Sequence, residues 1–189
     1  VTNTVRKRKE ELRKELIGRL REQDPSQRKD RSDDIQEKLL SCEEFRDSKT
    51  VMIYVSLPTE VSTDYCIQEA LKQGKRLVVP YIEPQGTEII ASEIHSMEYL
   101  EKGPFGIKQP KGDLVKSVPL KEIDVIVVPA IAFDKKNMRL GRGKGYYDRF
   151  LSNDQLAGAG TIGLAFNFQI IDSVPSDSHD KPVSRVITD

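Results

Sequence analysis

The run Ile123-Asp124-Val125-Ile126-Val127-Val128-Pro129-Ala130 is the feature that most constrains the fold of this chain. It is short, nearly all apolar and rich in β-branched residues, which reads as a strand buried on both faces. Val51-Met52-Ile53-Tyr54-Val55 and the stretch 76–82 have the same character, and 161–165 and 183–188 supply further strands. A shorter extended piece is expected over 88–91. Helical patterns lie between and before these runs. From Val5 to Glu22, Leu12, Leu16 and Leu20 make one apolar stripe on a highly charged helix. Asp24-Pro25-Ser26 breaks it, and Ser26 is expected to cap a second helix reaching Leu40. Thr63-Asp64 opens a helix carrying Ile67, Ala70 and Leu71, which Gly74 ends. The stretch 103–119 is rich in Gly, Pro and Lys and reads as a loop.

Strands alternating with helices at this spacing predict an α/β fold. The expected form is a mostly parallel twisted sheet with helices on both faces, a Rossmann-like three-layer architecture. The length of 189 residues suits a single domain spanning 1–189. In such sheets ligands gather at the carboxyl ends of the strands.

Charge narrows the function classes. Thirty Lys+Arg balance thirty Asp+Glu, so no global field draws the chain to nucleic acid or to an anionic membrane. An anion site must be built locally. Cys42 and Cys66 lack any metal-ligand or CxxC spacing and read as ordinary thiols of a reducing compartment. No apolar run approaches the roughly 20 residues that span a bilayer. A cytoplasmic monomer is the expectation.

The local anion site is Gly141-Arg142-Gly143-Lys144-Gly145-Tyr146-Tyr147-Asp148, which follows the strongest strand and the loop 133–140 and runs into a helix. Glycines admit close approach of backbone N–H groups to phosphate oxygens. Arg139, Arg142 and Lys144 supply interleaved cations. Asp148 offers a hard oxygen ligand for a divalent metal. The spacing is neither a Walker A loop nor the dinucleotide fingerprint. Two readings therefore stand on these residues alone: a phosphate cradle, or a tight turn with solvated basic side chains.

The residues also resemble a family signature. Pro129-Ala130-Ile131-Ala132-Phe133-Asp134 followed by Arg139-Leu140-Gly141-Arg142-Gly143-Lys144-Gly145-Tyr146-Tyr147-Asp148 is similar to that of the 5-formyltetrahydrofolate cyclo-ligases, also called 5,10-methenyltetrahydrofolate synthetases. Further blocks agree in order: Lys9-Glu10-Glu11-Leu12-Arg13, Tyr54 through Val61, Phe105-Gly106-Ile107 before Gln109-Pro110, and His179-Asp180. Ala130 and Asn137 stand where the family commonly has glycine.

The resemblance implies ATP-driven closure of 5-formyltetrahydrofolate, with or without a polyglutamate tail, to 5,10-methenyltetrahydrofolate, ADP and phosphate, with Mg2+ required. It implies that Lys9, Arg13, Arg139, Leu140, Gly141, Arg142, Gly143, Lys144, Gly145, Tyr146 and Tyr147 hold ATP. Within that set Arg142, Lys144 and Tyr146 would act in catalysis. Val55, Glu60, Phe105 and Tyr146 would meet the folate, and Asp148 and Asp180 would hold Mg2+. Other readings remain open, namely a non-catalytic nucleotide- or folate-binding protein and a sugar-phosphate isomerase or acyl-CoA transferase of related fold. The intact Arg142, Lys144, Asp148 and Glu60 speak against the first. The second needs a catalytic carboxylate constellation that the sequence does not offer.

Overall fold

The computed structural model describes residues 3–176 and 180–189, so His179 lies outside the described residues. In chain order the elements are α1 (Asn3–Glu22), α2 (Pro25–Ser41), α3 (Glu43–Asp47), β1 (Thr50–Ile53), α4 (Asp64–Lys72), β2 (Arg76–Tyr81), β3 (Ile90–Ile94), β4 (Leu100–Lys102), β5 (Lys108–Pro110) and β6 (Val125–Val128). They continue with β7 (Ala132–Asp134), β8 (Arg139–Leu140), α5 (Tyr146–Leu151), β9 (Gly160–Leu164), β10 (Ile170–Ile171) and β11 (Arg185–Ile187).

The main sheet has the order β11-β9-β6-β1-β2-β3, parallel except for the antiparallel edge strand β3. Every residue of β1 and β6 is buried, as their apolar runs predict. Alternation then divides them: Val51, Ile53, Val125 and Val127 face one core, and Met52, Ile126 and Val128 face the other. The first core is closed by Leu12, Leu16 and Leu20 of α1, Ile35 and Leu39 of α2, and Ile67 and Ala70 of α4. The second is closed by Phe150 of α5 and by connecting segments carrying Val118, Ile123, Leu156 and Val183. The three expected layers are present, but unequal. Long helices cover one face, while a single six-residue helix and irregular chain cover the other.

From β1 the chain moves outward to β2 and β3, then returns to the opposite side of β1 with β6, β9 and β11. The order reverses between β1 and β6, so the ligand crevice belongs at the carboxyl ends of those two strands.

Several local expectations are corrected. Asp24, not Ser26, caps α2: its Oδ1 accepts from the Gln27 N–H at 3.0 Å, and Pro25 occupies the first turn. Proline has no N–H to satisfy there, and its fixed φ starts the helix one residue earlier. Thr63 sits at the head of α4 without capping it; its hydroxyl donates to the Tyr54 carbonyl at 2.7 Å. The segment 133–140 is not a plain loop. It holds the β7–β8 hairpin, which with β10 forms a separate three-stranded sheet. The buried Asp134 ties it, accepting from the N–H groups of Lys136, Met138 and Val174. Asn137 takes the left-handed conformation there, φ 59°, which asparagine tolerates better than most residues. The stretch 103–119 contains β5, paired with β4, as well as turns.

Both cysteines are free and buried. Burial pushes the Cys66 thiol up to about 12, so it stays protonated and unreactive at neutral pH. Among the described residues no helix is long and apolar enough to cross a membrane.

At the β2–β3 edge Glu93, with 9% of its side chain exposed, accepts from Arg76 at 3.0 Å and Lys116 at 3.0 Å. Burial pushes its carboxyl up, but the hydrogen bonds from Lys116 and Arg76 outweigh that, and the net shift is downward. A lowered folded-state value contributes stability above the unfolded carboxylate range, lost as pH falls through the folded value. Glu93→Gln is therefore expected to reduce unfolding free energy at pH 7 by about 1–2 kcal/mol. Urea titrations should show the difference from wild type closing in acid, below about pH 4. A difference that persists undiminished well below that pH would refute the pairing.

Candidate functional site

The crevice is built by four pieces of chain, with Phe105 of the β4–β5 turn at its rim. After β1 the chain turns through Tyr54–Thr63, fastened by the Thr63 bond to Tyr54 and by the Tyr54 hydroxyl donating to the Val61 carbonyl at 2.9 Å. Glu60 closes its own turn: its N–H donates to the Leu57 carbonyl, and its Oε2 accepts from the Leu57 N–H at 2.9 Å. After β6 the β7–β8 hairpin hands the chain to the glycine segment and then to α5. The first half of α1 lies alongside, and Asp180 comes in from the C-terminal segment.

The glycines answer to arginines as much as to phosphate. A Cβ on Gly141 would stand 2.8 Å from an Arg139 nitrogen, one on Gly143 3.2 Å from the Arg13 guanidinium carbon, and one on Gly145 2.7 Å from an Arg149 nitrogen. Gly143 and Gly145 also have positive φ, 94° and 70°. Each glycine therefore makes room for a guanidinium packed on the segment's backbone. Arg13 donates from Nε to the Gly141 carbonyl at 2.9 Å, which locks α1 to the segment. Burial pulls the Arg13 pKa down, and Glu10, Asp148 and Asp180 push it back, so its charge is retained.

Most of the expected cations are held by carboxylates. Lys9 donates to Asp180 at 2.6 Å, both side chains being nearly buried. Arg139, 3% exposed, pairs through Nη2 with Asp148. Arg142 donates to Glu60 Oε1 from Nη2 at 2.8 Å and from Nε at 3.1 Å. Among the described residues no carboxylate pairs with Lys144, whose ammonium lies 5.8 Å from the Phe105 ring centroid. Phe105 is exposed, has φ 59°, and approaches Tyr146 at 6.0 Å between centroids. The Tyr146 hydroxyl donates to the Gly86 carbonyl at 3.2 Å, at the rim of a 420 Å3 cleft lined by Tyr81, Glu83, Pro84, Gln85 and Gly86.

The sequence-predicted residues thus converge, with differences in depth. Lys9, Arg13, Arg142, Lys144, Glu60, Tyr146 and Phe105 surround the crevice, and Asp148 and Asp180 flank Arg13. Leu140 and Val55 are buried and present only backbone. Arg139 lies beneath the segment, not on it. Tyr147 packs against Arg139 at 5.6 Å, and burial raises its phenol, whose oxygen has no partner among the described residues. Asp148 and Asp180 fall short of a preformed cage: among the described residues no three metal-ligating side chains gather. Nothing in the sequence singles out Arg149, whose partners appear only in the fold. A hollow of 450 Å3 at the amino ends of the strands, lined by Glu44, Asp47, Lys49 and Asp124, lies at the opposite edge of the sheet and would repel phosphate.

A basic glycine segment at the switch point of a parallel sheet marks this chain as an α/β protein of the class that takes its ligands at the carboxyl ends of the strands. Similarity to known proteins narrows that class. Residues 5–189 match the model of the 5-formyltetrahydrofolate cyclo-ligase family, and the chain belongs to that family. It is 34% identical to the mouse 5-formyltetrahydrofolate cyclo-ligase, over 97% of this chain and 95% of the relative. Its fold is similar to the NMR structure of Aquifex aeolicus 5,10-methenyltetrahydrofolate synthetase, with TM-score 0.82, 35% identity, and 95% and 89% of the two chains covered. The Mycoplasma pneumoniae 5,10-methenyltetrahydrofolate synthetase shares the fold at TM-score 0.76 and 24% identity, over 95% of this chain and 98% of that one.

Proposed function

We infer that this chain converts 5-formyltetrahydrofolate and ATP to 5,10-methenyltetrahydrofolate, ADP and phosphate. The observation that carries the reading is the Arg142–Glu60 pair at 2.8 Å, which joins the phosphate-binding segment to the loop after β1. A formamide oxygen is a poor leaving group. Transfer of the γ-phosphoryl group to that oxygen makes it a good one; the neighbouring folate nitrogen then attacks the formyl carbon and phosphate departs. Catalysis is positioning and charge stabilisation.

In this reading the backbone of 140–145, with Lys9 and Arg13, holds the triphosphate, and Arg139 and Tyr147 support it from below. Arg142 and Lys144 neutralise the migrating group. Arg142 must leave Glu60 to do so, and the vacated Oε1 becomes an acceptor for the N–H donors of the pterin edge. ATP and folate thereby favour each other's binding, and the coupling is reciprocal. Phe105 and Tyr146 offer ring faces to the folate, and Val55 its main chain. Asp148 and Asp180 suit Mg2+, which takes one or two carboxylates together with nucleotide phosphates and waters. Bound there, it would neutralise phosphate charge. Of their present partners, Lys9 is a cation that the triphosphate would satisfy instead, while Arg139 stays beneath the segment, where Asp148 keeps its second carboxylate oxygen for the metal. We place the chain as a cytoplasmic monomer; its balanced charge suits that setting.

The test is direct. Folded protein given 5-formyltetrahydrofolate and Mg-ATP should raise the absorbance of the methenyl product. A trace matching the enzyme-free control, from protein that binds ATP, would leave only a binding role.

A further inference from the structure

Arg149 is exposed, yet all of its donor nitrogens are spent on backbone carbonyls. Nε reaches the Thr87 carbonyl at 3.2 Å and Nη2 reaches the same oxygen, while Nη1 donates to the Lys144 carbonyl at 3.1 Å. Its guanidinium carbon stands 5.3 Å from the Tyr146 ring centroid. Tyr146 and Arg149 are three apart on α5, hence neighbours on one helix face. They reach the same turn: the Tyr146 hydroxyl donates to Gly86 and Arg149 to Thr87. That turn is closed by the Gly86 N–H donating to the Glu83 carbonyl at 2.8 Å. Gly145, lacking a Cβ, leaves the space through which the guanidinium passes.

We propose that Arg149 is a positioning residue, a fork that ties the glycine segment to the 83–87 turn and sets the Tyr146 ring for folate. The functional consequence rests on the reading that Tyr146 meets folate. A solvated helix-face arginine would leave its donors to water or a carboxylate; this one joins the glycine segment to the 83–87 turn. A rigid planar guanidinium can serve two carbonyls and a ring at once, which an ammonium cannot. Arg149 acts through Tyr146, not on substrate.

Two measurements test it. Protein labelled with 3-fluorotyrosine gives a 19F resonance for residue 146, assigned by its loss in Tyr146→Phe. Arg149→Leu should shift that line and leave those of Tyr54 and Tyr65 in place; an unmoved Tyr146 line overturns the proposal. In kinetics, Arg149→Leu should lower kcat/KM for folate ~10-fold, the scale of a lost cation–π contact and hydrogen bond, with the ATP KM within about 2-fold of wild type. Added to Tyr146→Ala, it should cost nothing further, since it acts through that ring. Multiplying losses would mean an independent role and defeat the proposal. If Tyr146→Ala itself leaves folate kinetics at wild type, the folate reading of Tyr146 fails, and the 19F shift alone decides whether Arg149 sets the ring. Should the leucine variant unfold, Arg149→Lys, which keeps charge and stem without the fork, reads the same resonance.

Discussion

Lys144→Ala should lose about 10²–10³-fold in kcat, the magnitude of removing one preorganised charge that faces a developing anion. Its thermal midpoint should barely move, because surface substitutions away from caps, cores and buried networks stay within about 0.5 kcal/mol. The separation follows from what the side chain touches. Lys144 is exposed, and its ammonium rests near the Phe105 ring with no carboxylate partner among the described residues. The fold draws nothing from that charge. Its neighbour Arg142 is different, because Glu60 would lose the partner of its Oε1 if Arg142 were removed. Turnover at saturating substrates and a melting curve on the same preparation decide the matter. Activity and stability falling together would show that Lys144 supports the segment and does not serve the transferring group.

Much of this molecule is legible in its sequence. Val125–Val128 announces a doubly buried strand because four consecutive apolar β-branched residues leave no face for water, and the leucines of α1 fix its inward face. The grouping of site residues is legible through the family signature, and the fold brings Glu60, Arg13, Arg142 and Asp180 around one crevice. The second sheet is not legible. Strands of two or three residues carry no alternation to read, and the hairpin's turn depends on Asp134, whose partners include the distant Val174 N–H. The start of α2 is ambiguous in sequence because Asp24 and Ser26 are both good caps and only the placement of Pro25 decides between them. Pairing is the larger blind spot. Sequence names Lys9, Arg139 and Arg142 as ligand cations and Asp180, Asp148 and Glu60 as ligand anions; the fold joins them in that order, cation to anion. The glycines likewise read as room for phosphate alone, whereas each also houses a guanidinium.

That pairing changes what a substitution at Asp148 measures. Read as a metal ligand, Asp148 should affect only the Mg2+ requirement. In the fold it is also the carboxylate partner of Arg139, whose side chain is 3% exposed and whose Nε has no partner among the described residues. Removing the carboxylate strands a buried cation, and breaking such a pair costs about 3 kcal/mol or more. Asp148→Ala is therefore expected to lower the melting temperature by roughly 6–12 °C in a chain of this length. Arg139→Met combined with Asp148→Ala removes the stranded charge and should recover much of that loss, since an apolar replacement of a buried pair is often near neutral. An unshifted midpoint in the single alanine variant would sink the structural role. The metal role then needs a variant that keeps an oxygen for Arg139, and Asp148→Asn does so. At saturating ATP and well below its melting temperature, it should need several-fold more Mg2+ for half-maximal rate. A Mg2+ titration superimposable on wild type would leave Asp148 as the anchor of Arg139 alone and pass the metal to Asp180.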